Sequence, residues 1–258
     1  MLWTKKDDAT PAVISAERHA RSAHGGQCPR LPETAVLFAM GGALQQIEQS
    51  RPAITLAQEL PCFIARSRCI ALQDRPDVCF VKSGLGAPAA VDTLETMRAL
   101  GVKRVIVAGM CGGFSPELSV GTVVVPRKVL CREGTSFHYY ARPRWARPDK
   151  ALHRAAQAYF SRGGDVCTEP TVSCDAVYRQ TMAKEAAWRE EGCVAVDMEA
   201  SALLNAARFY GMPAAALLLC SDAHPLREGT AQWTWGSEDF TQKRQAFVDD
   251  CAQFVRSL

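Results

Sequence analysis

Three apolar runs in this 258-residue chain stop in glycine: TAVLFAMGG (34–42), DVCFVKSGLGAP (77–88) and KRVIVAGMCGGF (103–114). A short apolar run that meets a glycine turn is a buried strand handing the chain to its next element. After the second run, residues 89–101 keep helical spacing: Val91, Leu94, Met97 and Leu100 share a side, and Gly101 stands at the stop. A fourth run, MPAAALLLCSD (212–222), ends in a carboxylate instead. Helical stretches are predicted at 151–162, 176–191, 198–210 and over the last twenty or so residues, where Phe240, Phe247, Cys251 and Phe254 share a face. Further extended segments are expected at 62–73, 166–175 and 193–196, and at 121–131, where Pro126 implies an edge or a bend. The basic, aromatic stretch 132–150 reads as a loop. This alternation predicts an α/β fold around a central sheet. Residues 1–33 read as an extended or partly helical arm, and 34–258 as one domain.

In open α/β sheets, ligands bind beyond the carboxyl ends of the strands. Glycine there lets backbone N–H groups approach an anion, and the next helix N-terminus adds positive potential. Each turn alone (Gly41-Gly42, Gly84 to Gly86, Gly109 to Gly113) is compatible with a plain strand-to-helix connection. Together they point to an anion or sugar site. G-L-G-A-P lacks the full dinucleotide fingerprint, and no acid follows at the required spacing.

Two carboxylates interrupt the apolar stretch VAVDMEASALL (194–204), where a buried strand meets a buried helix. Burying a carboxylate costs several kcal/mol unless it is paired or hydrogen-bonded. Asp197 can be a helix N-cap, and Glu199 an acid favoured by the helix dipole. Alternatively, Glu199 grips a diol such as two ribose hydroxyls, with Met198 as the apolar floor beneath the sugar. Asp222 either closes its strand as an Asx turn or is a catalytic carboxyl. SDAH (221–224) suggests a Ser–Asp–His triad, but members so close in sequence are not expected to form the usual hydrogen-bonded line. His138 and the 132–150 loop are expected to be a solvated surface rather than a base-stacking one.

Composition removes other classes. Thirty basic and 27 acidic residues leave a net charge of +3, which indicates neither a nucleic-acid nor a membrane partner. The 11 cysteines contain no C-x-x-C pair, and the histidines show no metal-ligand spacing, so no metal is expected. The cysteines read as reduced, mostly buried thiols, which implies a cytoplasmic protein. The N-terminus shows no signal-peptide apolar region, and no run is long enough to span a bilayer.

Four segments, SGLGAP (83–88), GMCGGFSPELSVGTVVVP (109–126), VDMEASALL (196–204) and LLCSDAH (218–224), resemble in order and spacing the landmarks of the nucleoside phosphorylase family. That family includes uridine phosphorylases, bacterial purine nucleoside phosphorylases and methylthioadenosine nucleosidases. The resemblance runs from about Thr34 to the C-terminus. It implies a three-layer α/β/α fold with a mixed, barrel-like central sheet. It also implies a homo-oligomer, a dimer or trimer of dimers, with sites shared across subunits. The implied reaction is phosphorolysis of a purine or uridine-type nucleoside to free base and pentose 1-phosphate. Inorganic phosphate is then the co-substrate, and no cofactor is needed.

By resemblance, Glu199 and Met198 bind ribose, His24 reaches the 5′ side of a neighbour's sugar, and Asp222 protonates a purine leaving group. Cys111, Gly112, Val177, Tyr178 and Asp197 surround the base. Gly41, Gly42, Met110 and Cys111 lie about the phosphate. The family's phosphate-binding arginines are absent: Val107-Ala108 and Gln45-Gln46 stand in their places, and Met110 replaces the usual hydroxyl. Arg66, Arg68 and Lys82 are candidates to compensate, the first two across a subunit interface. If they do not, water becomes the nucleophile, as the GGF segment shared with nucleosidases also suggests. A nucleoside-binding protein with weakened catalysis is a third reading. Asp222 points to a purine, whereas Arg179 and Gln180 lie near where uridine enzymes read uracil. Trp233 and Trp235 either cover the base or pack the last helix.

Overall fold

The computed structural model describes residues 10–22, 28–164, 166–229, 233 and 238–258. A short helix α1 (Ala16–Ala20) precedes β1 (Thr34–Ala39), α2 (Ala43–Ser50), β2 (Ala53–Ala57), β3 (Cys69–Leu72), β4 (Arg75–Lys82) and α3 (Ala87–Ala99). Then come β5 (Arg104–Gly113), β6 (Val123–Val124), β7 (Val129–Arg132), β8 (Trp145–Ala146), α4 (Lys150–Phe160), β9 (Val166–Cys167) and β10 (Thr171–Cys174). The chain closes with α5 (Met182–Glu190), β11 (Ala195–Asp197), α6 (Ala200–Phe209), β12 (Ala214–Ala223) and α7 (Glu238–Phe254).

The described strands form one mixed sheet, in the order β2-β3-β4-β1-β5-β11-β10-β7-β8, with β12, β6 and β9 branching from β5. The sheet is open rather than closed into a barrel. Its centre is parallel: β1 pairs with β4 and β5, and β12 with β5. Side chains alternate between faces, so both must be covered. Leu37, Val105 and Val107 pack toward Leu94 and Met97 of α3 and Leu203 of α6. Val36, Phe38, Ile106 and Leu217 pack toward Ile47 of α2, Phe160 of α4 and Phe247 and Phe254 of α7. The last helix thus buries the face its sequence predicts. All eleven cysteines are free thiols, and eight are buried. No described helix is long and apolar enough to cross a membrane.

Several expected segments come out shorter or divided. Of 62–73, only Cys69–Leu72 is strand, because the N–H groups of Phe63, Ile64 and Ala65 bind the Asp92 carboxylate rather than a neighbouring strand. The 121–131 segment breaks at Pro126 into β6 and β7. The 132–150 loop holds a 3₁₀ turn (Thr135–His138) and β8. The 176–191 helix is a 3₁₀ turn (Val177–Arg179) followed by α5, which starts afresh because Thr181 caps it. In the arm, Glu17 of α1 ion-pairs with Arg98 of α3, and Leu31 is buried.

Candidate active site

β5 is the ridge on which the site is built. Its early residues pair with β1, but its last two glycines pair with β11, which runs antiparallel: Ala195 lies opposite Gly113 and Val196 opposite Gly112. On the other edge, β12 runs beside it to the same end. The acids closing β11 and β12 therefore meet β5 around Cys111 and Gly112.

At the end of β11, Asp197 caps α6. Its Oδ1 accepts from the backbone N–H groups of Glu199 and Ala200, both at 2.8 Å, and from Ser173 Oγ at 2.7 Å. Such a cap is worth about 1 kcal/mol. Its Oδ2 is buried with no hydrogen-bond partner among the described residues. Burial dominates, and despite those bonds the carboxyl is raised to about 6. Glu199, also buried, accepts the Gly86 N–H at 2.6 Å. Gly86 adopts φ +81°, a conformation open to glycine that turns its N–H toward the acid ahead of α3. Burial, then the charges of Asp197 and Asp175, raise Glu199 to about 7. The two acids of VDMEA thus divide: one caps the helix, and the other bridges the α6 start to the SGLGAP turn. Met198 between them is half-buried.

At the end of β12, the register slips between Cys220 and Asp222, so Ser221 is an extra residue. Bulges of this kind re-aim side chains beside active sites. Ser221 Oγ lies 2.5 Å from Asp222 Oδ1, His224 Nε2 lies 3.0 Å from Oδ2, and the Trp233 indole N–H donates to Oδ2 at 2.6 Å. Burial pushes Asp222 up, but these bonds and the His224 charge outweigh it and hold the carboxyl below its ordinary value. The raised value that suits a carboxyl general acid is therefore not what this environment produces. His224 Nδ1 meets Glu185 Oε1 of α5 at 2.7 Å. Burial alone would lower the imidazole, but its bonds to Asp222 and Glu185 and their charges raise it to about 9.

Ser221, Asp222 and His224 are hydrogen-bonded in that order, so the usual triad line is not formed, in keeping with their spacing. The aspartate is the middle member. The serine therefore addresses the carboxylate and not the imidazole, and the arrangement is no serine-nucleophile triad.

The remaining candidates fall in several places. Cys111 is buried beside Cys220, close enough to Asp197 and Asp222 to feel both charges. Gly112 lies 3.3 Å, by the position of an added Cβ, from Asp222 Oδ2. Met110 is partly exposed and packs against the α4–α7 side of the core. Gly41 and Gly42 form the turn after β1, with Gly42 at φ +75°. Arg66 is bound by Glu59 and is mostly exposed, and Arg68 grips Glu48 with two bonds of 2.5 and 2.6 Å. Neither guanidinium joins the Cys111–Gly112 cluster among the described contacts. Lys82 is exposed at the end of β4. Val177 and Tyr178 are exposed, Tyr178 at 95%. The 175–180 turn borders the site through Asp175, and Arg179 within it is exposed. Trp233 contacts Asp222, whereas His24 and Trp235 lie outside the described residues.

Three contributors carry little signal in the sequence. Glu185 falls within the expected 176–191 helix with no local signal of its own. His224 is visible in SDAH, but its spacing argues only against the usual triad line. Arg244 of α7 donates to the Gly41 carbonyl across more than two hundred residues, a separation no local pattern signals.

Comparison with known proteins places this arrangement. A guanosine phosphorylase of Halorubrum lacusprofundi is 30% identical over 148 residues, covering 57% of this chain and 61% of that protein. A DeoD-type purine nucleoside phosphorylase of Clostridium beijerinckii is 28% identical over 144 residues, covering 54% and 60%. The chain thus spans about three fifths of the length of these curated relatives. Among solved structures, a purine nucleoside phosphorylase of Toxoplasma gondii in complex with immucillin-H superposes with a TM-score of 0.74 at 18% identity, over 96% of this chain and 100% of that one. An AMP nucleosidase of Bacteroides thetaiotaomicron gives 0.69 at 19% identity, over 88% and 90%. At those identities the likeness concerns the fold. The sequence model of the phosphorylase superfamily matches residues 33–258, and the chain belongs to that family.

Proposed function

We propose that this protein cleaves the N-glycosidic bond of a purine nucleoside by phosphorolysis, giving the free base and a pentose 1-phosphate. The observation that carries this reading is that Glu199 and Asp222 are buried acids at the ends of the two strands that flank the end of β5. Asp222 of β12 lies opposite Gly112, and Glu199 follows β11, whose Val196 lies opposite Gly112. Glu199 has a second carboxylate oxygen beyond the one that accepts from Gly86, and a ribose hydroxyl pair is the ligand that suits it. Glycosidic cleavage develops an oxocarbenium-like sugar, and a purine leaves well only when protonated. Asp222, buried at the end of β12, is our candidate to deliver that proton. The purine relatives in the family, guanosine phosphorylase among them, support the choice of base.

The missing family arginines leave the nucleophile to be argued separately. Arg66 and Arg68 are taken up by Glu59 and Glu48. Arg244 brings a guanidinium to the Gly41–Gly42 turn ahead of α2 and is the better candidate for an anion-binding cation. Hydrolysis is the second reading. It is favoured by Met110, whose thioether offers no hydroxyl donor where phosphate would sit. Weak catalysis with retained nucleoside binding would leave the diol grip of Glu199 and remove turnover.

A nucleoside panel with and without phosphate, with base release followed by chromatography, tests the proposal. We expect purine ribosides to be cleaved only with phosphate, and Arg244→Ala to raise the phosphate KM by about tenfold, the loss expected for one charge-assisted hydrogen bond. Turnover indifferent to phosphate would assign hydrolysis instead. Binding without turnover under either condition would defeat both enzymatic readings.

A further inference from the structure

Asp222 belongs to a line of four groups from two elements: Ser221, Asp222 and His224 at the end of β12, and Glu185 from α5, with β5 beneath them. Carboxylates only accept hydrogen bonds, so an imidazole with one at 2.7 Å from Nδ1 and another at 3.0 Å from Nε2 carries a proton on each nitrogen. This placement is built into the backbone. The His224 N–H donates to the Gly113 carbonyl at 2.7 Å. A Cβ on Gly112 would lie 2.4 Å from His224 Nε2, so a residue without a side chain is required under the ring. Arg189, one turn after Glu185, donates to the Phe114 carbonyl at 3.1 Å and ties α5 to the end of β5. Glu185 is 5% exposed.

We propose that Glu185 and His224 form a proton store for Asp222, His224 being a positioning residue that acts through the carboxyl and not on the substrate directly. This rests on the nucleoside-cleaving reading above. In the resting site the proton sits on the imidazole, and Asp222 is ionised. As the C1′–N bond breaks, its electron pair passes to the purine. The Nε2 proton then moves to Asp222 Oδ2, and a carboxyl proton moves from Asp222 to the ring nitrogen. Glu185 keeps its bond to the remaining Nδ1–H. The proton lost by hydrogen phosphate on forming the new C1′–O bond, or by water in hydrolysis, balances the one delivered. Solvent returns a proton to His224 for the next turnover.

Among the described residues, the titratable and charged groups around the ring are Glu185 and Arg189 of α5, Asp222 of β12, and the Cys111 and Cys220 thiols that border Asp222. Trp233 and Ser221 add neutral donors to the same carboxylate. The strong coupling to two acids makes the imidazole hold its proton to about pH 9. The alkaline fall of kcat is expected there, rather than near the ordinary value of a histidine.

The test compares a purine riboside with 7-methylguanosine, whose base leaves without needing a proton. For His224→Gln we expect kcat on the purine riboside to drop by about 10²-fold and on 7-methylguanosine by less than about threefold. For Glu185→Gln, which keeps shape and one acceptor, we expect a smaller loss and an alkaline limb moved to lower pH by about one unit. Restored activity in Glu185→Asp, with the limb back toward its original position, would support the store. Equal losses on both substrates in His224→Gln would overturn it, as would an unmoved limb in Glu185→Gln. If His224→Gln fails to fold, the Glu185→Gln profile decides. If the unaltered protein cleaves purine ribosides and only Asp222→Asn shows the selective loss, the proton store falls and the nucleoside-cleaving reading stands. If the unaltered protein cleaves neither substrate, both fall.

Discussion

At the end of β11, Asp197 and Glu199 are buried with backbone N–H groups, a serine hydroxyl and each other for company, and their carboxyls rise to about 6 and about 7. At the end of β12, Asp222 is buried as deeply but faces an imidazole that a second carboxylate keeps charged, and it falls below its ordinary value. Desolvation is the largest influence at all three acids, yet the outcome has opposite signs. Backbone and serine donors soften the burial of Asp197 and Glu199, whereas at Asp222 the hydrogen bonds from His224, Ser221 and Trp233, with the His224 charge added, reverse it. The β11 junction is therefore suited to a ligand that brings hydroxyl donors. The β12 junction is suited to moving a proton between groups that already share one.

The comparison is broken most severely at Asp222. Asp222→Asn leaves a side chain of the same shape with no proton to pass, and base release from purine ribosides is expected to slow by about 10²- to 10⁴-fold. Rapid-quench measurement of base formation checks this. Rates equal to those of the unaltered protein would remove Asp222 from the chemistry.

At the other junction, Glu199→Gln should cost ribosides about 10- to 100-fold in kcat/KM, the range for hydrogen bonds to a charged acceptor. It should cost a 2′-deoxyriboside much less. Similar losses on both would contradict the diol grip. In the unaltered protein, the KM for the riboside is expected to fall as pH rises through about 7, because ionisation of Glu199 creates the better acceptor.

Unfolding experiments separate the two junctions by pH window. Asp197 and Glu199 have folded values above their unfolded ones. At these two groups the ligand-free protein binds more protons folded than unfolded between about pH 4 and 7, and the stability they contribute falls as pH rises through that window. Glu199→Gln should remove part of that fall, on the order of 2 kcal/mol at pH 8 and little at pH 4. His224 is raised in the same direction, but it is a base. Its contribution is fully present below its unfolded value near 6.5 and is lost as pH rises through about 9. Urea unfolding at pH 4, 6, 8 and 10 separates the two. A Glu199→Gln protein no more stable than its parent at pH 8 would show that the burial cost lies elsewhere.

The smallest expected effect is at the cap. Asp197→Asn keeps the acceptor for the Glu199 and Ala200 N–H groups while removing the charge that raises Glu199. The midpoint of the riboside KM against pH should then move down by about half a unit. Loss of folding would mean that the ionised cap is required, and an unmoved midpoint would mean that the Asp197 charge does not reach Glu199.

Much of this molecule is legible in its amino-acid order. The strand-to-glycine runs, the α3 face of Leu94 and Met97 and the α7 face of Phe247 and Phe254 are local patterns, set by side-chain periodicities that tertiary packing then uses. The two acids of VDMEA are legible as a junction, and the choice between cap and ligand can be posed for them, because cap geometry is local. The compensating role expected of Arg66 and Arg68 is not decidable in that way. Each has a carboxylate neighbour, Glu59 or Glu48, whose availability depends on how β2, β3 and α2 fold together.

Local residue order sets the alternation of strands and helices, the glycine turns at the strand ends, and the acids trapped at apolar junctions. These depend on residues within a few positions of one another. Long-range packing sets the rest: β11 runs antiparallel to β5, Ser221 is the extra residue of a bulge, and Glu185, 39 positions before His224, reaches its ring. The sign of a buried group's pKa shift follows from those long-range neighbours, because a charge within a few ångströms acts strongly in a site that water has left. No local spacing encodes which charge that will be.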